Sequence, residues 1–183
     1  VIAPIMEAQL VETAILNIIN HQSLIATKAS RVDYAAGGGV MEFGLRRAQG
    51  PDAGIYGARA AVIGGCVGTS NVLTGQMFHV PVLGTHAHSW IMSFPDEYSA
   101  FKTYAKMYPN SCTLLVDTYD VLKSGVPNAI RVFEEMREEG VKLTHYGIRI
   151  DSGDLAYLSK EAYKMLAAAG FDDAIISASS DLD

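Results

Sequence analysis

Residues 146–170 read YGIRIDSGDLAYLSKEAYKMLAAAG. Within these residues the periodicity changes from two to about 3.6. Tyr146–Ile150 alternates as a strand does, whereas Leu155–Ala169 spaces its apolar residues as a helix does, and Gly170 stands where a helix C-cap is expected. Between them lies Asp-Ser-Gly-Asp, a turn. On the plainer reading, Asp151 or Ser152 caps the helix and Gly153 permits the turn. That reading does not account for Arg149, a cation inside an apolar strand. The junction where a strand runs out into the turn before a helix is where α/β enzymes keep their chemistry.

The same alternation extends outward in both directions. Strands are expected near Met41–Leu45, Gly65–Val67, Pro81–Gly84, Thr113–Asp117, Tyr146–Ile150 and Ala174–Ala178, with helices between them. In the helix expected over Val126–Glu139, Val126, Ala129, Ile130, Phe133 and Met136 form one stripe, and Arg131, Glu134, Arg137 and Glu138 lie outside it; Gly140 ends it. Residues 3–36 are helical in pattern and are expected to form two helices meeting near Asn20 or His21. Strands such as CTLLVD are apolar on both faces, as in a parallel sheet covered by helices. Six such strands favour a (β/α) barrel, incomplete in this chain, over a doubly wound sheet. One domain is expected, with residues 1–40 as a helical lead-in and 41–183 as repeated βα units. The first residue is Val1, and the last residues, SASSDLD, read as a strand turning into a capped helix, so the chain is expected to be a piece of a longer protein.

Composition narrows the partners. The 183 residues are 49% hydrophobic and 19% charged, enough apolar material for a core. Lys and Arg number 14 against 20 Asp and Glu, a net charge of −6, with no basic cluster to attract a nucleic acid. Cys66 and Cys112 fit neither a disulfide framework nor a metal spacing and read as buried thiols of a reducing cytoplasm. No run is long and apolar enough for a membrane span.

In a barrel, the polar residues at strand C-termini face the active-site mouth. Here those ends carry EFGLRR (42–47), GTSN (68–71), GTHAHSW (84–90), DTYD (117–120) and RIDSGD (149–154). Each has a plain reading: Ser70 or Asn71 as the cap of a helix starting at Val72, Asp120 as another cap, a histidine as a structural hydrogen-bonder. Taken together, they place arginines, carboxylates and two histidines at one end of one sheet, which packing does not require. Arginines and helix-start amides cradle phosphate, and carboxylates suit ribose hydroxyls or a magnesium ion carried by phosphates. A phosphorylated sugar fits such a mouth. A histidine there is a general acid or base, or a nucleophile that takes up a phosphoryl group.

The run EFGLRRAQGPDA followed in order by GTSNV, GTHAHSW, VDTYD and IRIDSGD resembles the nicotinate phosphoribosyltransferase family over essentially the whole chain. The resemblance implies a barrel of the type II phosphoribosyltransferase kind. It implies an enzyme that joins nicotinate to the ribose of phosphoribosyl pyrophosphate, with coupled ATP hydrolysis and Mg2+, in NAD salvage, and a cytoplasmic homodimer when full length. It also implies roles. His88 is the histidine phosphorylated by ATP, with His86 its neighbour; Thr85 and Arg149 hold the nicotinate carboxylate; Phe43 stacks on the pyridine ring; Arg46 reaches phosphate; Asp151 lies near the ribose; Asp117 lines the pocket. Ser70 is expected to face the ring substituent. The family's chain is longer, with an N-terminal portion at the subunit interface and C-terminal glycine-rich phosphate loops, so this stretch alone is expected to be inactive. Two alternatives stay open, nicotinamide phosphoribosyltransferase and a non-catalytic piece that keeps the fold. A barrel aldolase or isomerase is disfavoured, because Lys28, Lys102, Lys123 and Lys142 fall on expected helices or their ends rather than on a strand.

Overall fold

The computed structural model describes residues 2–180 and 182. The chain is α/β with parallel pairing throughout its described strands, and it divides into two compact units, one ending at Gly84 and the other spanning Thr85–Leu182. The expected helix start in SASSDLD involves Asp181 and Asp183, which lie outside the described residues.

The second unit holds the larger core. Its elements are α4 (His88–Met92), α5 (Glu97–Met107), β3 (Cys112–Leu115), α6 (Val126–Glu138), β4 (Tyr146–Ile150), α7 (Leu155–Ala168) and β5 (Ile175–Ala178). The strands pair in the order β3-β4-β5, with Leu115 opposite Arg149 and Ile150 opposite Ala178. β4 has the bounds expected from its alternation, and α6 and α7 each end one residue earlier than expected. Gly140 and Gly170 adopt the left-handed conformation of a helix C-cap, at φ 77° and 78°. Phe101, Phe133, Leu114, Leu115, Ile148, Ile150 and Leu166 are fully buried, each stabilising the fold by about 1.5–3 kcal/mol relative to exposure. Phe133 meets Tyr146 edge-on at 5.0 Å and Phe171 at 5.8 Å, joining α6 to β4 and to the approach to β5. At Gly147 the backbone of β5 leaves no room for a side chain. A Cβ there would lie 1.9 Å from the carbonyl oxygen of Ile175.

Between β3 and α6 the chain makes one π-helical turn, Val121–Gly125. The Gly125 N–H donates to the Asp120 carbonyl five residues back, at 2.8 Å. Asp120 caps the turn, as expected, its carboxylate accepting from the N–H groups of Leu122 and Lys123. The buried Glu97 of α5 accepts from Ser124 and Asn128 and holds the turn to the start of α6.

The first unit is built differently. It comprises α1 (Ile5–Ala36), β1 (Met41–Glu42), a 3-10 turn (Leu45–Arg47), α2 (Pro51–Ile63), β2 (Gly68–Thr69) and α3 (Val72–Phe78). The expected break near Asn20 or His21 does not occur. Neither residue is a helix breaker, and His21 instead turns toward α2, its Nε2 3.2 Å from the Ala53 carbonyl, while Gln22 accepts from Arg59 at 2.7 Å. The last turns of α1 lie against Gly57 of α2 and its C-cap Gly64: a Cβ on Gly57 would meet Ile25, and one on Gly64 would lie 2.5 Å from the Ala26 carbonyl oxygen. Earlier in α1, Leu10, Leu16, Ile18 and Leu24 are exposed.

Three strand expectations are corrected here. Met41–Leu45 shortens to Met41–Glu42, because the chain turns into the 3-10 segment at Leu45. Gly65–Val67 moves to Gly68–Thr69, because Gly65, at φ 119°, belongs to the turn leaving α2. Pro81–Gly84 forms a single parallel bridge, Val82 with Thr69, since Pro81 has no N–H to donate. Six expected strands are therefore five and a bridge among the described residues. Cys66 and Cys112 are buried free thiols, Cys112 pushed up to about 12 by burial. No described helix is long and apolar enough to cross a membrane.

Candidate functional site

Because β3, β4 and β5 run parallel, their C-terminal ends share one edge of the sheet. Five of the eight residues singled out from sequence gather there or on the strap Thr85–His88 beside it. Asp117 lies just past β3, Arg149 is the penultimate residue of β4, and Asp151 follows it. His88 opens α4. Its Nε2 lies 3.2 Å from Asp117 Oδ1, and the Ser152 hydroxyl donates to Asp117 Oδ2 at 2.5 Å. A carboxylate only accepts, so in the neutral ring Nε2 carries the proton and Nδ1 keeps the lone pair. The Asp117 side chain is 2% exposed and that of His88 39%, so a buried acid orients a half-open imidazole.

The Arg149 guanidinium is held from three sides. Nε donates to Ser179 Oγ at 2.7 Å, Nη1 to Thr85 Oγ1 at 2.9 Å and Nη2 to Asp151 Oδ1 at 2.8 Å. Ser179 in turn donates to Asp151. Burial alone would raise the Asp151 pKa, but the Ser179 hydroxyl and the Arg149 guanidinium outweigh it and hold the carboxyl below its usual range. The plainer reading of IRIDSGD is thus corrected: Asp154, not Asp151 or Ser152, caps α7, accepting from the Tyr157 N–H at 3.0 Å.

Phe43, Arg46 and Ser70 belong to the first unit. Phe43 follows β1, Arg46 is exposed in the 3-10 turn, and Ser70 follows β2 half-buried, its N–H donating to the Glu42 carbonyl at 3.0 Å. Ser70 is not the cap of α3. Asn71 is, its side chain accepting from the Thr74 N–H at 3.3 Å.

Sequence reasoning missed Ser179 as the bridge between Arg149 and Asp151, and Ser152 as a partner of Asp117. Ser179 stands just past β5 as Asp151 does past β4, so the signal was its position after a strand. It also missed Glu42, which accepts from the Thr69 hydroxyl at 2.5 Å and from the Gly44 N–H. No group of three or more His, Cys, Asp or Glu among the described residues is arranged to hold a metal ion.

The chain is similar to known proteins. The profile of the nicotinate phosphoribosyltransferase (NAPRTase) family matches residues 39–175. The nicotinate phosphoribosyltransferase of Bacillus subtilis (strain 168) is 58% identical over 182 residues, 99% of this chain and 36% of its own length. The crystal structure of human nicotinic acid phosphoribosyltransferase superposes with a TM-score of 0.81 at 32% identity, over 99% of this chain and 47% of that one. That of nicotinate-nucleotide pyrophosphorylase from Pyrococcus furiosus superposes with a TM-score of 0.76 at 29% identity, over 89% and 42%. The chain therefore spans less than half the length of each.

Proposed function

Since this chain belongs to the nicotinate phosphoribosyltransferase family, we propose that the whole protein joins nicotinate to the ribose of phosphoribosyl pyrophosphate, releasing pyrophosphate, with ATP hydrolysis coupled to the step. The observation that carries the reading is Arg149, fixed by Thr85, Asp151 and Ser179 at the C-terminal edge of a parallel sheet. An arginine so fixed is pre-oriented for a planar carboxylate, and Thr85 adds a hydroxyl beside it. The nicotinate carboxylate then shares Arg149 with Asp151, so base binding and the acid proposed for the ribose are coupled through one cation. Departure of pyrophosphate leaves positive charge at the anomeric carbon, which a nearby carboxylate favours. Phe43 stacks on the pyridine ring, Ser70 faces its substituent and Arg46 reaches phosphate.

His88 takes the γ-phosphoryl group of ATP. Its Nδ1 lone pair attacks phosphorus, ADP departs, and Asp117 stabilises the positive imidazole through Nε2–H. Hydrolysis of the P–N bond returns the free histidine and phosphate. Asp117 and Asp151 are engaged by His88 and Arg149, so a magnesium ion would be held by the substrate phosphates and would neutralise their charge. The complete protein is read as a cytoplasmic homodimer whose full sheet closes into a (β/α) barrel.

The test uses the full-length protein with nicotinate, phosphoribosyl pyrophosphate and ATP. His88→Ala is expected to abolish ATP turnover and the phosphoenzyme while leaving slow nucleotide synthesis at saturating substrates. Mass spectrometry under conditions that preserve acid-labile phosphohistidine reads the site. Phosphate on His86 instead, or on no histidine, sinks the assignment.

A further inference from the structure

His86 is the one titratable residue of the strap Thr85–His88 that the mechanism above does not use, and it is buried. The N–H groups of Cys112 in β3 and of Val116 just past its end point to β4, donating to the carbonyls of His145 and Arg149. Leu115 N–H therefore points the other way, off the sheet's free edge. No strand meets it. It donates instead to His86 Nε2 at 3.2 Å. Two residues on, His88 Nε2 meets Asp117. Both pairs are separated by 29 residues, so the strap runs alongside β3 in constant register, joined by side chains where a strand would use its backbone. Thr85, one residue before His86, receives Arg149 Nη1.

From this geometry we infer that His86 is a positioning residue: its Nε2 locks the strap to the free edge of β3 and so sets Thr85 against Arg149 and His88 against Asp117. The inference rests on the functional reading above for its activity readout, though the tether itself does not. The surroundings suit the role. Tyr104 of α5 stands edge-on to the ring at 4.7 Å and Phe101 lies at 6.0 Å, which fixes the ring plane. Nε2 accepts only while the imidazole is neutral. Burial pushes the His86 pKa down to about 4; the backbone of Ala87 opposes this, and the nearby Arg149 and His88 add to it. The acceptor therefore persists at neutral pH.

Two variants of the full-length protein separate positioning from packing. His86→Phe keeps an aromatic ring beside Tyr104 and loses the acceptor, whereas His86→Gln places a carbonyl oxygen where Nε2 stood. His86→Phe is expected to raise KM for nicotinate about tenfold, leave KM for phosphoribosyl pyrophosphate unchanged, and speed hydrogen exchange at the Leu115 amide. His86→Gln is expected to return both readouts to within about twofold of wild type. A Gln variant as impaired as the Phe variant, or a Phe variant with unchanged KM and a still-protected Leu115, overturns the proposal. Should the wild type make no nicotinate nucleotide, the activity reading falls by itself; exchange at Leu115 in the three proteins still decides the tether.

Discussion

The two units of this chain solve the problem of burying apolar surface in opposite ways. From Thr85 onward, parallel strands are covered by helices whose apolar stripes carry Phe101, Phe133 and Leu166, all fully buried. Before Gly84, two strands of two residues each accompany a 32-residue helix in which only Ala29 is buried. Contact there relies on small residues, Ala29, Ala61 and Cys66 forming the buried cluster with glycines of α2 admitting α1. Large side chains filling a core give stability that survives small adjustments. Small residues in close contact give proximity with little apolar area, since the driving force scales with area removed from water.

The largest expected effect tests this contrast directly. In the 183-residue chain, Phe133→Ala should cost about 3–5 kcal/mol in chemical denaturation, because it removes a ring shared by Tyr146 and Phe171. Leu10→Ala, at a residue 78% exposed in α1, should stay within about 0.5 kcal/mol of wild type. Comparable losses would break the comparison.

Next in size is a pH effect confined to the second unit. His86 has a folded pKa of about 4 against about 6.5 unfolded, so the unfolded chain binds its proton first. Its contribution is complete above about pH 6.5 and is lost as pH falls toward 4. Between pH 7 and pH 5 this amounts to roughly 1–2 kcal/mol, with Arg149, His88 and Tyr104 the charged or titratable groups facing the ring. Asp151 does not blur the window. Its lowered pKa gives stability present above the unfolded carboxyl value of about 3.9 and lost only below it. Denaturation midpoints at pH 7 and 5 should therefore converge in His86→Gln; an equal drop in both proteins would assign the slope elsewhere.

The smallest effect sharpens the picture of the first unit. Asn71→Ala should cost about 1 kcal/mol by uncapping α3, and Ser70→Ala less, because Ser70 uses its backbone N–H, which the variant keeps. Thermal midpoints of the two variants suffice, and a reversed order would make Ser70 the cap after all.

What the sequence disclosed follows the same division. β4, α6, α7 and the cap glycines Gly140 and Gly170 were legible because their periodicities are local and their apolar faces are buried close by in the chain. α1 was read as two helices because Asn20 and His21 interrupt its pattern; the long-range contact of His21 with Ala53 is invisible in one dimension. β1 was drawn too long and β2 misplaced because two paired residues leave no period to count. At the candidate site the residue types were legible: Arg149, Asp151, Thr85, His88 and Asp117 do gather within one unit. Which oxygen serves which donor was not. Two acids and a serine crowd the turn after β4, and only the backbone path decides that Asp154 caps, Ser152 turns to Asp117 and Asp151 turns to Arg149.

The π-helical turn at Val121–Gly125 has a consequence for insertions and deletions. Such a turn holds one residue more than an α-turn would need, and each residue advances an α-helix by about 100°. A chain one residue shorter between Asp120 and Val126 could close an ordinary α-turn there, but α6 would then start about 100° out of phase. The face now carrying Ala129, Val132, Phe133 and Met136 into the core would roll toward solvent, and the face with Arg131 and Glu134 would roll partway inward. Gly125 forbids the simpler remedy of a bulkier residue, since any Cβ there would lie 2.0 Å from the Val116 carbonyl oxygen. The length of this one loop is thus set by the phase of the helix it starts.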